Sequence, residues 1–148
     1  MADTSYIGHT GKPFPVVVER GKIHEFAKAT KSKNPAYFTE QPVVPATYLT
    51  LATNFWEGLA GGGVDVGLNW ARVLHGEQEF VYHGALPKAG DTLTGTTKVE
   101  NIFTKSGNRG GDLTFVVTAT ELRNDAGELV AEVRTTLIET GKAAGGSN

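Results

Sequence analysis

Histidine is the side chain best suited to exchange protons near neutral pH, so the histidines are the first candidates for acid–base chemistry. The chain has four of them, His9, His24, His75 and His83. His75 and His83 are eight positions apart in one alternating segment, so their side chains are expected to share a strand face. We expect structural hydrogen bonds for this pair and solvated surface positions for His9 and His24.

Other kinds of site have little support in the chain. Glu77 and Glu79 share one face by parity and fit a solvated stripe better than a catalytic carboxylate pair. No cysteine is present, which excludes a thiolate nucleophile and a disulfide framework. No metal-binding histidine spacing occurs, and we expect no metal and no cofactor. The glycine-rich segment 58–67 follows a helical pattern, whereas a phosphate cradle follows a strand, so it is predicted to be a helix cap and loop.

Composition narrows the possible partners. A length of 148 residues fits one domain, and a net charge of −2 gives no overall attraction for nucleic acid or an anionic membrane. The first residues have neither the basic nor the apolar region of a signal peptide, and no apolar run is long enough to cross a bilayer. We therefore expect a cytoplasmic protein that binds neither nucleic acid nor membrane.

Two helices are predicted to position the candidate residues. An extended segment from Pro15 to Glu19 precedes an amphipathic helix whose apolar positions are Ile23, Phe26, Ala27 and Thr30, and Asn34-Pro35 breaks this pattern. The second helix is expected to begin near Pro45, run to about Leu59 and end at Gly61-Gly62-Gly63. Its two adjacent apolar stripes predict burial on several sides. The stripes are Tyr48, Leu51, Ala52, Phe55 and Leu59, and Leu49, Ala52, Trp56 and Ala60.

The pattern changes to alternation after residue 73, which predicts four strands. The first runs from Leu74 to His83, and the other three contain alternating sets joined by turn-forming segments, Pro87–Asp91, Ser106–Gly111 and Asn124–Gly127. The sets are Leu93, Gly95, Thr97, Val99 and Phe103; Leu113, Phe115, Val117 and Ala119; and Leu129, Ala131, Val133, Thr135 and Leu137. Strands this long predict an α+β architecture, a curled antiparallel sheet wrapped around one buried helix. Because long uncovered edges favour pairing, we expect two such sheets to form a dimer.

Several segments resemble the MaoC-like (R)-specific hydratases and dehydratases, which have the hotdog fold. Residues 19–29 resemble the opening helix of that family, 43–49 the start of its central helix, and 74–83 with 89–93 the strand and turn that follow. The resemblance extends over residues 8–140 and is greatest to the N-terminal MaoC-like group, which includes non-catalytic subunits of mycobacterial (3R)-hydroxyacyl-ACP dehydratases. It implies one hotdog domain over residues 1–148, with 141–148 a flexible tail.

The family adds water reversibly to an enoyl thioester of CoA or acyl carrier protein, using an Asp and a His in a G-D-x-N-P-x-H segment. Here the matching segment is 31–37, which keeps Asn34-Pro35 but has Ser32 at the Asp position and Tyr37 at the His position. An isolated hydroxyl or phenol is a poor proton acceptor near pH 7. We expect no catalytic residue of the family type, and an isolated chain that is inactive or weakly active.

The resemblance also assigns a binding role. It implies that Asn34, Pro45, Thr47 and Tyr48 lie near the thioester, and that Phe55, Trp56 and Leu59 line or support the acyl channel. Core packing is an equally good interpretation of Phe55 and Trp56. The leading hypothesis is a subunit that supplies the acyl channel while a catalytic MaoC-like partner supplies the dyad. The alternatives are a non-enzymatic homodimer that binds acyl thioesters or lipids, and an active hydratase that uses His24, His75 or His83.

Overall fold

The computed structural model describes residues 2–107 and 111–141. It contains the strands β1 (Phe14–Val17), β2 (Val73–Tyr82), β3 (Thr92–Gly107), β4 (Gly111–Arg123) and β5 (Leu129–Thr140), and the helix α1 (Arg20–Ala29). Three short 3₁₀ turns cover Thr4–Tyr6, Pro35–Tyr37 and Trp70–Arg72. The predicted tail beyond Gly141, and residues 108–110 of the predicted hairpin tip, lie outside the described residues.

All five strands form one antiparallel sheet in the order β1-β3-β4-β5-β2. The strands β3, β4 and β5 contain 16, 13 and 12 residues, which confirms the prediction of unusually long strands. Consecutive strands from β3 to β5 are neighbours, as short hairpin connections require. In the described part of the chain no strand pairs with the outer edge of β2.

A central helix over residues 50–60 lies against the inner face of this sheet. Ala52 in its first half, together with Tyr48 and Leu49 in the turn just before it, belongs to a cluster, the helix core. The other buried members are Phe14, Val16, Val18, Ile23, Val44, Leu93, Leu122, Ala131 and Val133. A second cluster, the N-terminal core, consists of Ala2, Val66, Val99, Ile102 and Val116. The inner face of the sheet therefore carries two separate cores.

The central helix differs from its prediction in start and burial. The prediction that it begins near Pro45 was wrong, because residues 46–49 form turns with i-to-i+3 bonds such as Tyr48 N–H to the Pro45 carbonyl at 3.0 Å. Residues Ala52–Glu57 are wound as a π-helix. The expected burial on several sides holds only for its first half, since Phe55 and Leu59 are 41% and 68% exposed. The predicted glycine end is confirmed by Gly61, which has φ +63°.

A β-bulge in β3 decides which of its side chains lie on the inner face of the sheet. The pairing of β3 with β4 shifts between Val99 and Asn101, so Ile102 is buried and Phe103 lies on the outer face. There the Phe103 ring stacks on that of Phe115 at 4.9 Å between centroids. In β4 the buried residues Thr114, Val116, Thr120 and Leu122 have the opposite parity to the predicted apolar set, of which only Ala119 is buried.

Candidate functional site

The loop after α1 holds the two positions at which the sequence departs from the MaoC-like pattern. Lys31 adopts φ 56°, which reverses the chain, and the Ser32 N–H donates to the Ala27 carbonyl at 2.8 Å. The Asn34 side chain accepts from the Ala36 N–H at 3.0 Å and so caps the Pro35–Tyr37 turn. The Ser32 hydroxyl accepts from the Asn34 N–H at 3.3 Å. Both polar side chains therefore hold the loop itself in shape, and no carboxylate or imidazole stands at either position.

Tyr37 is half-buried and packs against the helix core beside Tyr82. The Tyr82 hydroxyl donates to the Ala46 carbonyl at 2.8 Å, so it ties β2 to the turn that precedes the central helix. Burial, with a smaller contribution from the neighbouring Tyr37 phenol, raises the pKa of Tyr82 to about 12. Tyr82 is therefore a hydrogen-bond donor and not a base at physiological pH.

The segment before the central helix contains three of the predicted binding residues. Pro45 is buried, Thr47 is exposed, and Tyr48 is only 2% exposed, with its ring edge-on to Phe26 at 5.6 Å. Burial raises the pKa of Tyr48, so this phenol also stays neutral. The backbone N–H groups of Ala46 and Thr47 have no acceptor within the described residues.

Phe55 and Trp56 meet edge to face at 5.2 Å between ring centroids. Trp56 packs against the helix core, while the exposed Phe55 ring has the Lys22 ammonium 5.8 Å from its centroid. Neither of these two residues lines the cavity between the second half of the central helix and the sheet, and Leu59 does not line it either. Their assignment to an acyl channel therefore stays a prediction.

A cavity of about 490 Å³ lies between the second half of the central helix, the 61–70 loop and the inner face of the sheet. This volume is within the usual range of small-molecule sites, about 300–1,000 Å³. The helix contributes Thr53, Asn54, Glu57 and Gly58 to its wall. The sheet contributes His75, Thr97, Val116, Thr118, Thr135 and Leu137. Val66 and Val116 of the N-terminal core line the cavity, whereas no buried member of the helix core does.

Glu57 is the unexpected member of the cavity wall. Burial raises the pKa of its carboxyl, an effect that the nearby Thr97 hydroxyl partly offsets. The Glu57 Oε1 atom is buried and has no hydrogen-bond partner in the described part of the chain. Thr97 in turn is 2.6 Å, oxygen to oxygen, from the buried Thr120 hydroxyl. Sequence reasoning passed over Glu57, although it is the one charged residue between Pro45 and Gly61.

The histidines fall in four different environments. His75 lines the cavity, with Nε2 3.0 Å from Gln78 Oε1, whereas His83 Nε2 is 2.7 Å from Glu132. The expectation that His75 and His83 share a face was wrong, because a bulge between His75 and Glu77 inverts the parity between them. The prediction of a solvated surface position was also wrong for His24. Its Nε2 atom is buried and lacks a hydrogen-bond partner within residues 2–107 and 111–141, and its ring centroid lies 5.7 Å from that of Phe38. His9 is exposed, as expected.

The acidic stripe of β2 is partly engaged in ion pairs. Glu79 contacts Arg134 at 2.6 Å, and Arg134 also contacts Glu100 at 2.8 Å, while Glu77 is exposed. Within the described ranges, no group of three or more His, Cys, Asp or Glu side chains is arranged to hold a metal ion. The described residues also include no helix with the length and apolar character needed to cross a bilayer.

A long curled sheet around a central helix, with a cavity between them, is the arrangement of a hotdog protein. The comparisons assign the class within that fold, the hydratases and dehydratases. Residues 5–133 match the dehydratase domain region of the FAS1-like family. A UPF0336 protein of Saccharopolyspora erythraea is 30% identical over 95% of this chain and 93% of its own length. The chain therefore belongs to the FAS1-like dehydratase domain family, and its fold is the MaoC-like hotdog.

Two solved assemblies are similar to the chain. One chain of the HadBC (3R-hydroxyacyl-ACP dehydratase) complex of Mycobacterium tuberculosis is 31% identical, with a TM-score of 0.73 over 90% of this chain and 96% of that one. One chain of the ChsH1–ChsH2 complex of the same organism is 17% identical, with a TM-score of 0.70 over 95% of this chain and 89% of that one. At that identity the second likeness supports the fold alone. Both neighbours are complexes of two different subunits.

Proposed function

We propose that this chain is a subunit of a (3R)-hydroxyacyl-thioester dehydratase, or enoyl-thioester hydratase, that supplies the acyl channel. A MaoC-like partner supplies the Asp and His that carry out the proton transfers. The substrate is an acyl-CoA or acyl-ACP thioester, and the reaction belongs to cytoplasmic fatty acid metabolism. The observation that carries the proposal is a loop that keeps its Asn34 cap but has Ser32 and Tyr37 at the dyad positions.

The missing base is the first support. In the family pattern, hydration needs one group to activate water and another to exchange the α-proton, and each must act near pH 7. The Ser32 hydroxyl accepts a hydrogen bond from the Asn34 N–H, and Tyr37 is packed against the helix core. A side chain held in either way is a poor base, so this loop does not perform that chemistry by itself.

The cavity and the turn before the central helix are the second support. The cavity of about 490 Å³ offers space for a flexible chain next to the helix. The N–H groups of Ala46 and Thr47, which have no acceptor among the described residues, suit the polarisation of a thioester carbonyl. In this proposal Pro45 and Tyr48 support that turn from the buried side, while Thr47 and Asn34 face the thioester arm.

The open side of the molecule is the third support. The outer edge of β2 is unpaired in the described structure, and Leu74 on it is 48% exposed. Trp70, which lies just before β2 and also contacts the cavity, is 71% exposed. Unpaired edges and exposed large apolar side chains favour association with another subunit. The similar HadBC protein is itself a complex.

The test is hydration of crotonyl-CoA and longer enoyl-CoAs by the chain alone, by a MaoC-like partner with an intact D-x-N-P-x-H segment, and by the mixture. The candidate partner is the MaoC-like protein encoded next to this chain or purified with it. We expect no significant rate from the chain alone and a higher rate from the mixture than from the partner alone. The mixture should lose its rate when the partner's Asp and His are replaced by Asn and Gln. Equal rates for the chain with and without its partner would contradict the proposal.

A second candidate function is a homodimer that binds acyl thioesters or lipids without turnover. It is favoured by the same observation of a cavity within a single chain that lacks the dyad. A stable homodimer that binds acyl-CoA and shows no turnover with any MaoC-like partner would establish this alternative. Dependence of hydration on the mixture of two chains would exclude it.

A further inference from the structure

The wall of the cavity is more polar than a plain hydrocarbon chain requires. Side chains with hydroxyl, amide or carboxyl groups line it from both sides. Thr53, Asn54 and Glu57 come from the helix, and Thr97, Thr118 and Thr135 come from the sheet. Apolar contact is concentrated at the 64–68 loop and at Val116 and Leu137. Such a wall combines apolar contact with a limited number of oriented polar groups, which is typical of sites that read one polar feature of a ligand.

The polar groups nearest Glu57 form a short hydrogen-bond network in which one donor proton and one acceptor oxygen are left without a partner in the described residues. Thr97 and Thr120 are 2.6 Å apart, and because one hydroxyl donates to the other, one of the two protons remains for a further acceptor. Glu57 is close enough to Thr97 for that hydroxyl to affect its ionisation. The carboxyl carbon lies 3.8 Å from the position that a Cβ on Gly63 would take, so the loop passes close beside the carboxyl. The Glu57 Oε1 atom still lacks a partner within the described residues.

The unpaired oxygen of Glu57 and the spare threonine proton indicate which kind of ligand the cavity favours. A saturated chain in the cavity would displace solvent from the Glu57 carboxyl and the threonine hydroxyls without replacing any hydrogen bond, and this opposes binding. A chain that carries a hydroxyl group can both donate to the carboxyl and accept from a threonine. A buried polar group left without a partner costs more free energy than a new hydrogen bond gains. The preference for a hydroxylated chain over an unsubstituted one therefore comes mainly from weaker binding of the unsubstituted chain.

We propose that the cavity selects acyl chains that carry a hydroxyl group in their distal half, away from the thioester, over chains of the same length without it, and that Glu57 is the specificity-determining residue. This inference rests on the proposed acyl-channel function and adds the chemical class of the chain. The thioester end plays no part in the selection, because neither the 32–37 loop nor the Pro45–Tyr48 turn lines the cavity.

The experiment measures the affinity of the full chain for decanoyl-CoA and for monohydroxydecanoyl-CoA isomers with the hydroxyl in the distal half of the chain. Tryptophan fluorescence is a suitable signal because Trp70 contacts the cavity, and calorimetry gives an independent affinity. We expect at least one isomer to bind about tenfold more tightly than decanoyl-CoA, the ratio that one well-placed hydrogen bond supplies.

Three variants separate Glu57 from the remainder of the wall. Glu57→Leu should remove the preference while retaining decanoyl-CoA binding, and Glu57→Gln should keep most of the preference because an amide still donates and accepts. Glu25→Leu, at an exposed position on α1, is the matched control and should behave as the wild type. Circular dichroism checks that each variant is folded.

The outcomes distinguish this inference from the proposed function. Binding of decanoyl-CoA as tightly as every hydroxylated isomer, or a preference that survives Glu57→Leu, would overturn the inference and leave the acyl channel intact. Failure to bind any of these esters would overturn both the inference and the acyl-channel role. Activation of a catalytic partner is measured separately in the hydration assay.

Discussion

Replacement of Gly62 by alanine tests whether the glycine triplet is a packing element. A Cβ at this position would lie 2.6 Å from Cδ1 of Phe14 and 3.0 Å from the carbonyl oxygen of Lys12. Phe14 is 1% exposed in the helix core, and the second atom belongs to the backbone, so neither can retreat freely. Gly63 is the matched control, because the nearest atoms to its Cβ are those of the Glu57 carboxyl at 3.8 and 4.0 Å.

The magnitude follows from the two contacts. Overpacking of a core by one methyl group costs about 1–3 kcal/mol, and a contact with backbone favours the upper end. In a domain of about 150 residues, 1 kcal/mol corresponds to about 2–4 °C in Tm, so a cost of about 3 kcal/mol for Gly62→Ala lowers Tm by about 6–12 °C. Gly63→Ala meets only ordinary van der Waals contact and should change stability by about 0.5 kcal/mol or less in either direction.

The assay is urea unfolding followed by far-ultraviolet circular dichroism, with all proteins at one concentration because association also stabilises. The double variant Gly62→Ala with Phe14→Leu should lose less stability than the sum of the two single variants, since the shorter side chain relieves one of the two contacts. Equal unfolding midpoints for Gly62→Ala and Gly63→Ala, or strict additivity in the double variant, would refute the reasoning.

Three further outcomes are expected. Because burial raises the pKa of Glu57 above its ordinary value near 4.5, the wild type loses stability as pH rises through the folded-state pKa. Glu57→Gln should therefore be more stable than the wild type in urea at neutral pH and equal to it below about pH 4, and a pH-independent difference would contradict this. Tyr82→Phe removes the bond to the Ala46 carbonyl and should cost about 1 kcal/mol in thermal unfolding, and it should also remove a tyrosine that titrates at about 12 in ultraviolet absorbance. Arg134→Met breaks the exposed ion pairs with Glu79 and Glu100. The free energy of unfolding should fall by about 1 kcal/mol or less at low salt, and by less in concentrated salt. A loss of stability that does not depend on salt would indicate a packing effect.

The elements with strong periodicity were predictable from the sequence. Ile23 and Ala27 are buried on α1, which ends at Ala29 before the Asn34-Pro35 break. The long strands and their hairpin order follow from alternation and from turn residues. Gly61 ends the central helix in the left-handed conformation that the triplet indicated. These features depend on local preferences that each residue expresses wherever it stands.

The inner face of the sheet was only partly predictable, because it depends on register. Thr97 and Thr135, which line the cavity, belong to the alternating sets that the sequence predicted. The bulge between Val99 and Asn101 replaces Phe103 by Ile102 on the inner face, and the bulge between His75 and Glu77 sends His75 into the cavity. One inserted residue inverts every side chain beyond it, and alternation alone does not locate the insertion. The π-wound stretch Ala52–Glu57 likewise shifts the helix face and is not encoded by any spacing that a 3.6-residue period detects.

The separation of cavity and loop bears on the partner that the proposed function requires. Ser32 and Tyr37 are absent from the cavity wall, whereas His75 and Trp70 bring that wall to the beginning of β2. The outer edge of β2 pairs with no strand in the described structure. An acyl chain held in the cavity would therefore contact residues next to the edge strand β2 and neither of the substituted dyad positions. In the proposed assembly the substitutions at positions 32 and 37 are tolerated because catalysis comes across this edge, while selection of the chain stays with Glu57.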